Sequence, residues 1–280
     1  MAARGRALLA AAGIEPGEAA LDAELLVREA LGGWDRARFL SRGDEPAGEP
    51  AERALGELLA RRARREPISQ ILGRREFWGL EFHVTRDVLT PRPESELIVE
   101  EALACLAGHE RTARLWLADA GTGSGCLAVA LARERPASRV LATDVSRAAL
   151  EVARRNADRH AVADRIRFEH APLLAGAEGL ALVVSNPPYI PAGDLVALPP
   201  EVRAHEPRVA LDGGPDGLAV VRDLLEAAAR AVVPGGWLVF EFGDGQDAAV
   251  RAAVAASPLE LVRIRADLQG IPRTAVVRRP

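Results

Sequence analysis

The chain has 280 residues, of which 49% are hydrophobic and 27% charged, and its formal net charge is -4. This length suits one or two domains, and the composition is ordinary for a globular protein. A protein that binds a long stretch of phosphate backbone usually carries a basic surface, which an acidic balance does not favour. Two cysteines are too few for a disulfide framework and are typical of a reducing cytoplasm, where we expect the protein to act.

The first 67 residues are expected to form a helical domain. The apolar run over 7–12 is short and is soon followed by Glu15 and Glu18, which favours an amphipathic helix over a signal peptide. Leucines recur at helical spacing, while Gly32-Gly33 and residues 43–48 break the helices. The arginine-rich run over 61–65 is interpreted as a solvated helix end, with contact to nucleic acid or an acidic partner as the alternative. No apolar stretch approaches the roughly 18 residues of a membrane span, so no membrane contact is expected.

Residues 68–93 are expected to connect this domain to a second one over 94–280. The stretch from Ile68 to Val84, with Trp78-Gly79 near its middle, predicts a β-hairpin. The proline-rich segment over 90–96 predicts a rigid extended stretch that leads into a helix from about Ser95 to Leu106.

Short apolar runs alternate with helical patterns after about residue 112. The runs span 115–120, 140–143, 166–168, 180–184 and 237–242. Such alternation predicts an α/β fold of parallel strands with helices on both faces. Ligands of such sheets bind beyond the carboxyl ends of the strands, so the residues that follow each strand are the candidates for a site.

A glycine-rich turn follows the first of these strands. Glycines allow a tight turn and a close approach to a ligand, and the helix that follows offers free N–H groups. The spacing lacks the third glycine of the dinucleotide fingerprint, which favours S-adenosylmethionine over a dinucleotide. The candidate cofactor-binding residues are Gly121, Thr122, Gly123, Ser124 and Gly125.

Asp144 follows the second strand, about twenty residues beyond the glycine turn. A carboxylate at this position can accept hydrogen bonds from the ribose hydroxyls of an adenosine. The alternative is that Asp144 or Ser146 only caps the next helix, and both can hold if Ser146 caps while Asp144 binds. The turn and the acid together predict an adenosine-containing ligand without separating hydride transfer from methyl transfer.

The fourth strand runs directly into Asn186-Pro187-Pro188-Tyr189. Consecutive prolines end the strand and stiffen the loop. The Asn186 side-chain oxygen and the Pro187 carbonyl can accept the two N–H bonds of a planar –NH2 group, and Tyr189 can lie over its plane. Two fixed acceptors stabilise the positive charge that develops when such a nitrogen attacks a sulfonium methyl. We therefore predict methylation of an amide or amino nitrogen. The alternative is a proline-rich turn that Asn186 merely caps, and it is disfavoured because the segment follows the fourth strand, beside the glycine turn and Asp144.

The chain resembles the protein-(glutamine-N5) methyltransferases that modify peptide-chain release factors, the HemK/PrmC-like family. The match covers about residues 61–277, and the first 60 residues match only as a helical region. The motifs that carry it are Glu66-Pro67 with Gly73 and Phe77, Pro91-Arg92-Pro93-Glu94-Ser95-Glu96, Gly121 to Gly125, Asn186-Pro187-Pro188-Tyr189-Ile190, Glu206-Pro207-Arg208-Val209-Ala210-Leu211, Asp216-Gly217-Leu218, Pro234-Gly235-Gly236, Glu241-Phe242-Gly243 with Gln246, and Asp267 with Gly270 and Arg273.

The resemblance implies a Rossmann-like class I methyltransferase domain behind a helical domain that helps to bind the release factor. The substrate would be the glutamine of the factor's Gly-Gly-Gln motif, and S-adenosyl-L-methionine would become S-adenosyl-L-homocysteine without a metal. By this similarity the glycine turn, Asp144 and Asn186 contact the donor, while Asn186, Pro187, Pro188 and Tyr189 hold the glutamine. We expect a monomer that needs no direct contact with nucleic acid.

Two positions depart from the family pattern. Ser95 stands where relatives usually have threonine, and the loss of one methyl group should matter little. After the third strand, relatives often place an acid and a large side chain beside the adenine, where this chain has Ala171 and Pro172. We carry over Pro172 as a cofactor-binding residue, with Glu169 or His170 as a substitute for the acid.

Three alternatives remain open at the level of sequence. Relatives that methylate a glutamine of a large-subunit ribosomal protein share nearly every motif. An exocyclic-amine methyltransferase of DNA or RNA can carry the same tetrapeptide, although it usually needs a basic footprint. The third alternative, from a different functional class, is a nucleotide-linked oxidoreductase or an inactive binding module. Glu241, in the last strand of the pattern, is expected to support the tetrapeptide from beneath, with a position facing the pocket as the alternative.

Overall fold

A computed structural model describes residues 1–42, 45–174 and 176–280. The chain divides into two compact units, one of residues 1–74 with 199–205 and one of residues 75–198 with 206–280. Of the predicted break over 43–48, Gly43 and Asp44 lie outside the described residues, and residues 45–48 are not helical. Within the described residues, no helix is long and apolar enough to cross a membrane.

The first unit is helical, as its leucine spacing predicts. Glu15 begins the second helix, since its carboxylate accepts the N–H groups of Gly17 and Glu18 at 2.8 and 3.1 Å. Leu9, Leu26 and other apolar side chains form the core of this unit. Its helices in chain order are α1 (Ala2–Ala11), α2 (Pro16–Ala30), α3 (Arg36–Arg42), α4 (Glu49–Ala63) and α5 (Ile68–Leu72).

Helix α5 corrects the predicted extent of the hairpin, which was expected to begin at Ile68. Pro67 precedes this short helix and Gly73 ends it in the left-handed region, at φ +69°. Ile71 is buried in the helical core, so packing decides between helix and strand for a short apolar run. The hairpin itself consists of β1 (Arg74–Phe77) and β2 (Leu80–His83).

The arginine-rich run over 61–65 is only partly solvated, because Arg64 is exposed but Arg62 is buried, which corrects the interpretation for Arg62. Arg62 is 1% exposed, and its guanidinium donates to Asp22, Glu201 and Glu18 at 2.6, 2.8 and 2.7 Å. Arg65 also pairs with Glu201. These ion pairs link residues 199–205 to the helices of the first unit.

The second unit is an α/β layer structure, and the predicted fold class is confirmed. Helix α9 is the segment that groups with the first unit. The remaining elements in chain order are α6 (Glu96–Cys105), β3 (Trp116–Ala120), α7 (Cys126–Glu134), β4 (Arg139–Asp144), α8 (Arg147–Arg159), β5 (Ile166–His170), β6 (Leu180–Ser185), α9 (Pro200–His205), α10 (Ala219–Ala231), β7 (Val232–Glu241), α11 (Asp247–Ala255), β8 (Glu260–Ala266) and β9 (Pro272–Arg278).

Seven of the described strands form one sheet in the order β5-β4-β3-β6-β7-β9-β8. The strands from β5 to β7 are parallel, whereas β9 pairs antiparallel with both β7 and β8. The final hairpin was absent from the predicted strands. Strand β8 is half exposed along most of its length, so it lacks the buried apolar run by which the parallel strands were found.

Both faces of the sheet are covered, which explains the uninterrupted apolar runs of the central strands. In β6, Leu182 and Val184 belong to one core and Val183 belongs to the other. Strand order reverses between β3 and β6, because the chain builds outward from β3 to β5 and returns to the other side of β3. The carboxyl ends of these two strands therefore border a crevice, the usual position of a ligand in such sheets.

Candidate active site

A cavity of about 280 Å³ lies at the carboxyl ends of β3, β4 and β6. This volume is on the scale of small-molecule sites, which start at roughly 300 Å³. Most of the residues predicted from the sequence meet in its wall, although they come from four separate chain segments. Those in the wall are Gly121, Thr122, Gly123, Ser124, Asp144, Pro172, Asn186 and Pro188, whereas Gly125, Pro187 and Tyr189 are not among its lining residues.

The glycine turn adopts the backbone that its composition predicts. Gly121, Gly123 and Gly125 have φ values of +75°, +53° and +81°, in the left-handed region that side chains rarely enter. The N–H groups of Gly121 and Thr122 donate to the carbonyl of Thr143 at 2.9 and 2.8 Å, which ties the turn to β4. A β-carbon at Gly125 would lie 3.0 Å from that of Ala153, so this glycine allows close packing beneath the cavity.

Asp119 supports the turn from below. Its Oδ2 accepts from the Thr122 hydroxyl at 2.7 Å and from the Ala128 N–H at 3.0 Å, while Oδ1 has no hydrogen-bond partner among the described residues. The side chain is fully buried, and this burial raises the pKa of its carboxyl to about 7. The sequence reasoning assigned it no role, although an acid at the end of an apolar strand was a usable signal.

Asp144 is half-buried, and both of its oxygens face backbone donors. Oδ2 accepts from the Gly123 N–H at 2.9 Å, and Oδ1 accepts from the Ser146 N–H at 2.8 Å. The Ser146 hydroxyl accepts from the Ala149 N–H at 3.2 Å and thereby caps α8. Ser146 therefore caps the helix, and each carboxylate oxygen of Asp144 keeps a lone pair that can accept a hydrogen bond from a ribose hydroxyl.

The wall after β5 is apolar in character. Pro172 lines the cavity together with Ala171, Leu173 and Val145. The two proposed substitutes for an acid lie elsewhere, which corrects that expectation. His170 is exposed and contacts the carbonyl of Val145 at 2.9 Å, and Glu169 pairs with Arg167.

The tetrapeptide follows directly after β6, and its residues Asn186 and Pro188 line the cavity. Pro187 is buried and Tyr189 is half-buried. The Tyr189 hydroxyl donates to Glu241 Oε1 at 3.1 Å, and burial together with this carboxylate raises the pKa of Tyr189. Tyr189 is thus anchored as a neutral phenol, and its ring has a fixed position.

The far end of the tetrapeptide is held by close backbone contacts. Gln246 Nε2 donates to the Tyr189 carbonyl at 2.9 Å. A β-carbon at Gly217 would overlap that carbonyl oxygen, and one at Gly213 would lie 2.8 Å from the Pro188 carbonyl oxygen. Glycine at these two positions therefore permits the approach that fixes the loop.

Asn186 is linked to two buried polar groups. Its Nδ2 donates to Ser95 Oγ at 2.9 Å, and Ser95 Oγ donates to Glu241 Oε2 at 2.6 Å. Ser95 is 3% exposed and Glu241 is 2% exposed, and burial raises the pKa of Glu241. Glu241 lies beneath the tetrapeptide as expected, whereas the sequence reasoning saw in Ser95 only a capping hydroxyl.

An ion pair borders the cavity near residues 87–92. Arg92 Nη2 donates to Glu206 Oε2 at 2.6 Å, and the Thr90 N–H donates to Glu206 Oε1 at 3.3 Å.

Burial raises the pKa of both free thiols, to about 11 for Cys105 and about 12 for Cys126, so neither is a thiolate nucleophile near neutral pH. Among the described residues, no group of three or more potential ligands could hold a metal ion.

Family models and curated relatives match both parts of the chain. Residues 1–73 match a model described as PrmC N-terminal domain, and residues 100–197 match one described as Methyltransferase small domain. A release factor glutamine methyltransferase of Cereibacter sphaeroides is 44% identical, over 97% of this chain and 95% of its own length. One of Geobacter sulfurreducens is 46% identical over 86% and 82%, and one of Burkholderia pseudomallei is 46% identical over 93% and 92%.

Solved structures share the fold at low sequence identity. A methyltransferase from Pyrococcus furiosus is 18% identical, with a TM-score of 0.55 over 79% of this chain and 98% of that one. The N-terminal domain of human METTL16 in complex with SAH is 15% identical, with a TM-score of 0.54 over 80% and 84%. These likenesses support the class I methyltransferase fold.

Proposed function

This chain belongs to the release factor glutamine methyltransferase family, and from that premise we propose that it methylates a glutamine side chain of peptide-chain release factors. The methyl group comes from S-adenosyl-L-methionine and is transferred to the amide nitrogen N5, in the Gly-Gly-Gln motif that the resemblance implies. S-adenosyl-L-homocysteine is the second product. The observation that carries the proposal is the presence of Asn186 in the same cavity wall as the glycine turn and Asp144.

The donor is proposed to lie across the carboxyl ends of β3 and β4. The turn over 121–125 would receive the methionine end, since its N–H groups and the N-terminus of α7 favour a carboxylate. Asp144 would accept the ribose hydroxyls through its remaining lone pairs. Pro172 and Val145 would contact the adenine through apolar packing, because the acid found in relatives is absent from this wall.

The glutamine amide is proposed to lie beside the tetrapeptide. Asn186 Oδ1 and the Pro187 carbonyl would accept its two N–H bonds, which orients the nitrogen lone pair toward the methyl group. Tyr189, with its hydroxyl on Glu241, would offer the face of its ring to the planar amide. Pro188 would complete the wall, since it lines the cavity.

These contacts address the weakness of an amide as a nucleophile. Delocalisation removes electron density from the nitrogen, and fixed acceptors on its two N–H bonds return some of it. As the nitrogen attacks, the carbon–sulfur bond of the sulfonium breaks and positive charge develops on the amide. Preorganised acceptors stabilise that charge, and the in-line placement of nitrogen, methyl carbon and sulfur lowers the entropic cost. The proton becomes acidic only after methylation, so it can leave to water.

The test is transfer of labelled methyl from S-adenosylmethionine to a purified release factor, with the modified residue identified by mass spectrometry. We expect label on the Gly-Gly-Gln glutamine and none when that glutamine is replaced by alanine. Persistent label in the alanine variant would refute this substrate. Label only on a large-subunit ribosomal protein, supplied in a parallel reaction, would establish the alternative substrate instead.

Several finer properties follow from the same proposal. The helical N-terminal domain would help to bind the release factor, and the chain would act as a cytoplasmic monomer. Neither a metal nor direct binding of nucleic acid is required by the proposed chemistry. Transfer that is unchanged in the presence of a chelator and after nuclease treatment is the expected result.

A further inference from the structure

Asn186 can serve the substrate amide in only one of its two side-chain orientations. Half a turn of its terminal amide exchanges Oδ1 for Nδ2, which replaces an acceptor with a donor. A glutamine –NH2 group donates hydrogen bonds and needs an acceptor. The flipped orientation would instead place the Nδ2 donor of Asn186 against the donor of the substrate. The covalent structure of asparagine does not choose between these states, and the choice depends on its neighbours.

Ser95 and Glu241 form the chain of hydrogen bonds that meets Asn186. The contacts run from Asn186 Nδ2 to Ser95 Oγ at 2.9 Å and from Ser95 Oγ to Glu241 Oε2 at 2.6 Å. Both supporting side chains are at least 97% buried, because their exposed fractions are 3% and 2%. Water therefore has little access to replace either partner.

The carboxylate determines the direction of the whole chain. Hydroxyl groups donate to both oxygens of Glu241, from Ser95 to Oε2 and from Tyr189 to Oε1. Because each oxygen of Glu241 accepts a hydroxyl proton, the single hydroxyl proton of Ser95 is committed to Glu241. The Ser95 oxygen then presents a lone pair to Asn186, and only Nδ2 can donate to it.

We propose that Glu241 and Ser95 are positioning residues that hold the Asn186 amide with Oδ1 as its acceptor for the substrate. The flipped state would place Oδ1 against the lone pair of Ser95 and lose a buried hydrogen bond. Through Tyr189 the same carboxylate also holds the opposite end of the tetrapeptide. This inference rests on the proposed function, because it assigns the orientation of the group that binds the glutamine amide.

The first test compares Ser95→Ala, Ser95→Thr and the matched control Ser138→Ala. Ser138 is also buried, and its hydroxyl donates to the Ala113 carbonyl at 3.3 Å, far from the tetrapeptide in the chain. Loss of one orienting hydrogen bond in Ser95→Ala is expected to lower kcat about tenfold, with the donor Kd and the KM for the release factor unchanged. Ser95→Thr restores a hydroxyl and should recover most of kcat, while Ser138→Ala should keep it. Wild-type kcat in Ser95→Ala, or an equal loss in the control, would overturn the proposal.

The second test is a double-mutant cycle with Asn186→Ala. If Ser95 acts through Asn186, Ser95→Ala should cause no further loss in the Asn186→Ala background, measured by single-turnover transfer of tritiated methyl. The same fractional loss in both backgrounds would show a merely structural role and overturn the proposal. Glu241→Gln is compared in the same way with Ser95→Ala, and its effect should shrink when the Ser95 hydroxyl is absent. An equal effect in both backgrounds would remove Glu241 from the proposal.

The two levels of inference fail in different ways. If the wild-type chain methylates a residue other than the Gly-Gly-Gln glutamine, the proposed function fails. If it methylates that glutamine but the cycles are additive, only the orientation of Asn186 by Ser95 and Glu241 is refuted.

Discussion

Two residues of the glycine turn over 121–125 form a matched pair in which backbone strain and steric contact can be separated. Gly121 and Gly125 both have left-handed φ values, +75° and +81°. A β-carbon at Gly121 meets nothing within 4 Å, whereas one at Gly125 meets the β-carbon of Ala153 at 3.0 Å and its α-carbon at 3.1 Å. Alanine at Gly121 therefore adds strain alone, and alanine at Gly125 adds strain together with overpacking.

The expected magnitudes follow from these two terms. The left-handed conformation costs an alanine about 1–2 kcal/mol, and overpacking adds about 1–3 kcal/mol where a backbone atom cannot move aside. A loss of 1 kcal/mol lowers Tm by about 2–4 °C in a domain of the size of the second unit. We therefore expect Gly125→Ala to lower Tm clearly more than Gly121→Ala.

Thermal unfolding without donor is the assay, because bound donor would stabilise the folded state and mask the difference. Circular dichroism at a single scan rate allows the two variants to be compared directly. Equal losses of Tm in the two variants would refute the idea that close packing of α7 against Ala153 requires Gly125.

Three further predictions concern single charged groups. Asp144→Ala should weaken binding of S-adenosylmethionine in calorimetry by roughly tenfold or more, since hydrogen bonds with a charged group contribute about 1.5–3 kcal/mol each; unchanged affinity would exclude Asp144 from the donor site. Asp119 binds a proton in the folded state up to pH about 7 and loses it near the ordinary value of 3.8 when unfolded, so its contribution to stability should fall as pH rises between these values, by about 1 kcal/mol per pH unit. Asp119→Asn should remove this fall in denaturant titrations across pH 4–7, and identical profiles would contradict the raised pKa. Arg62→Ala should destabilise the helical unit by about 3–5 kcal/mol in urea, because it leaves the buried Asp22 carboxylate without its cation; the half-exposed Arg61 provides the control, with a much smaller loss expected.

Much of the second unit could be predicted from local sequence because its signals are local. Parallel strands that are buried on both faces must be apolar throughout, and the runs that become β3 to β6 show this directly. The left-handed turn at Gly121 and the proline stop after Asn186 also follow from the residues themselves. Strand β8 escaped prediction because it is half exposed and has no buried apolar run, and β9, which pairs with it as the next strand in the chain, was missed with it.

The sequence by itself determined which chemistry this protein can carry, because glycine turns, strand-end acids and a proline-stiffened asparagine are consequences of residue type and spacing. Only the tertiary structure decided how those groups are supported. Ser95 and Glu241 lie 146 residues apart in the chain and meet beneath Asn186. The buried Arg62 donates to Glu201 of α9, which lies 139 residues away in the chain. The direction of a hydrogen bond and the burial of a charge depend on which atoms fill the surrounding space, and no local pattern contains that information.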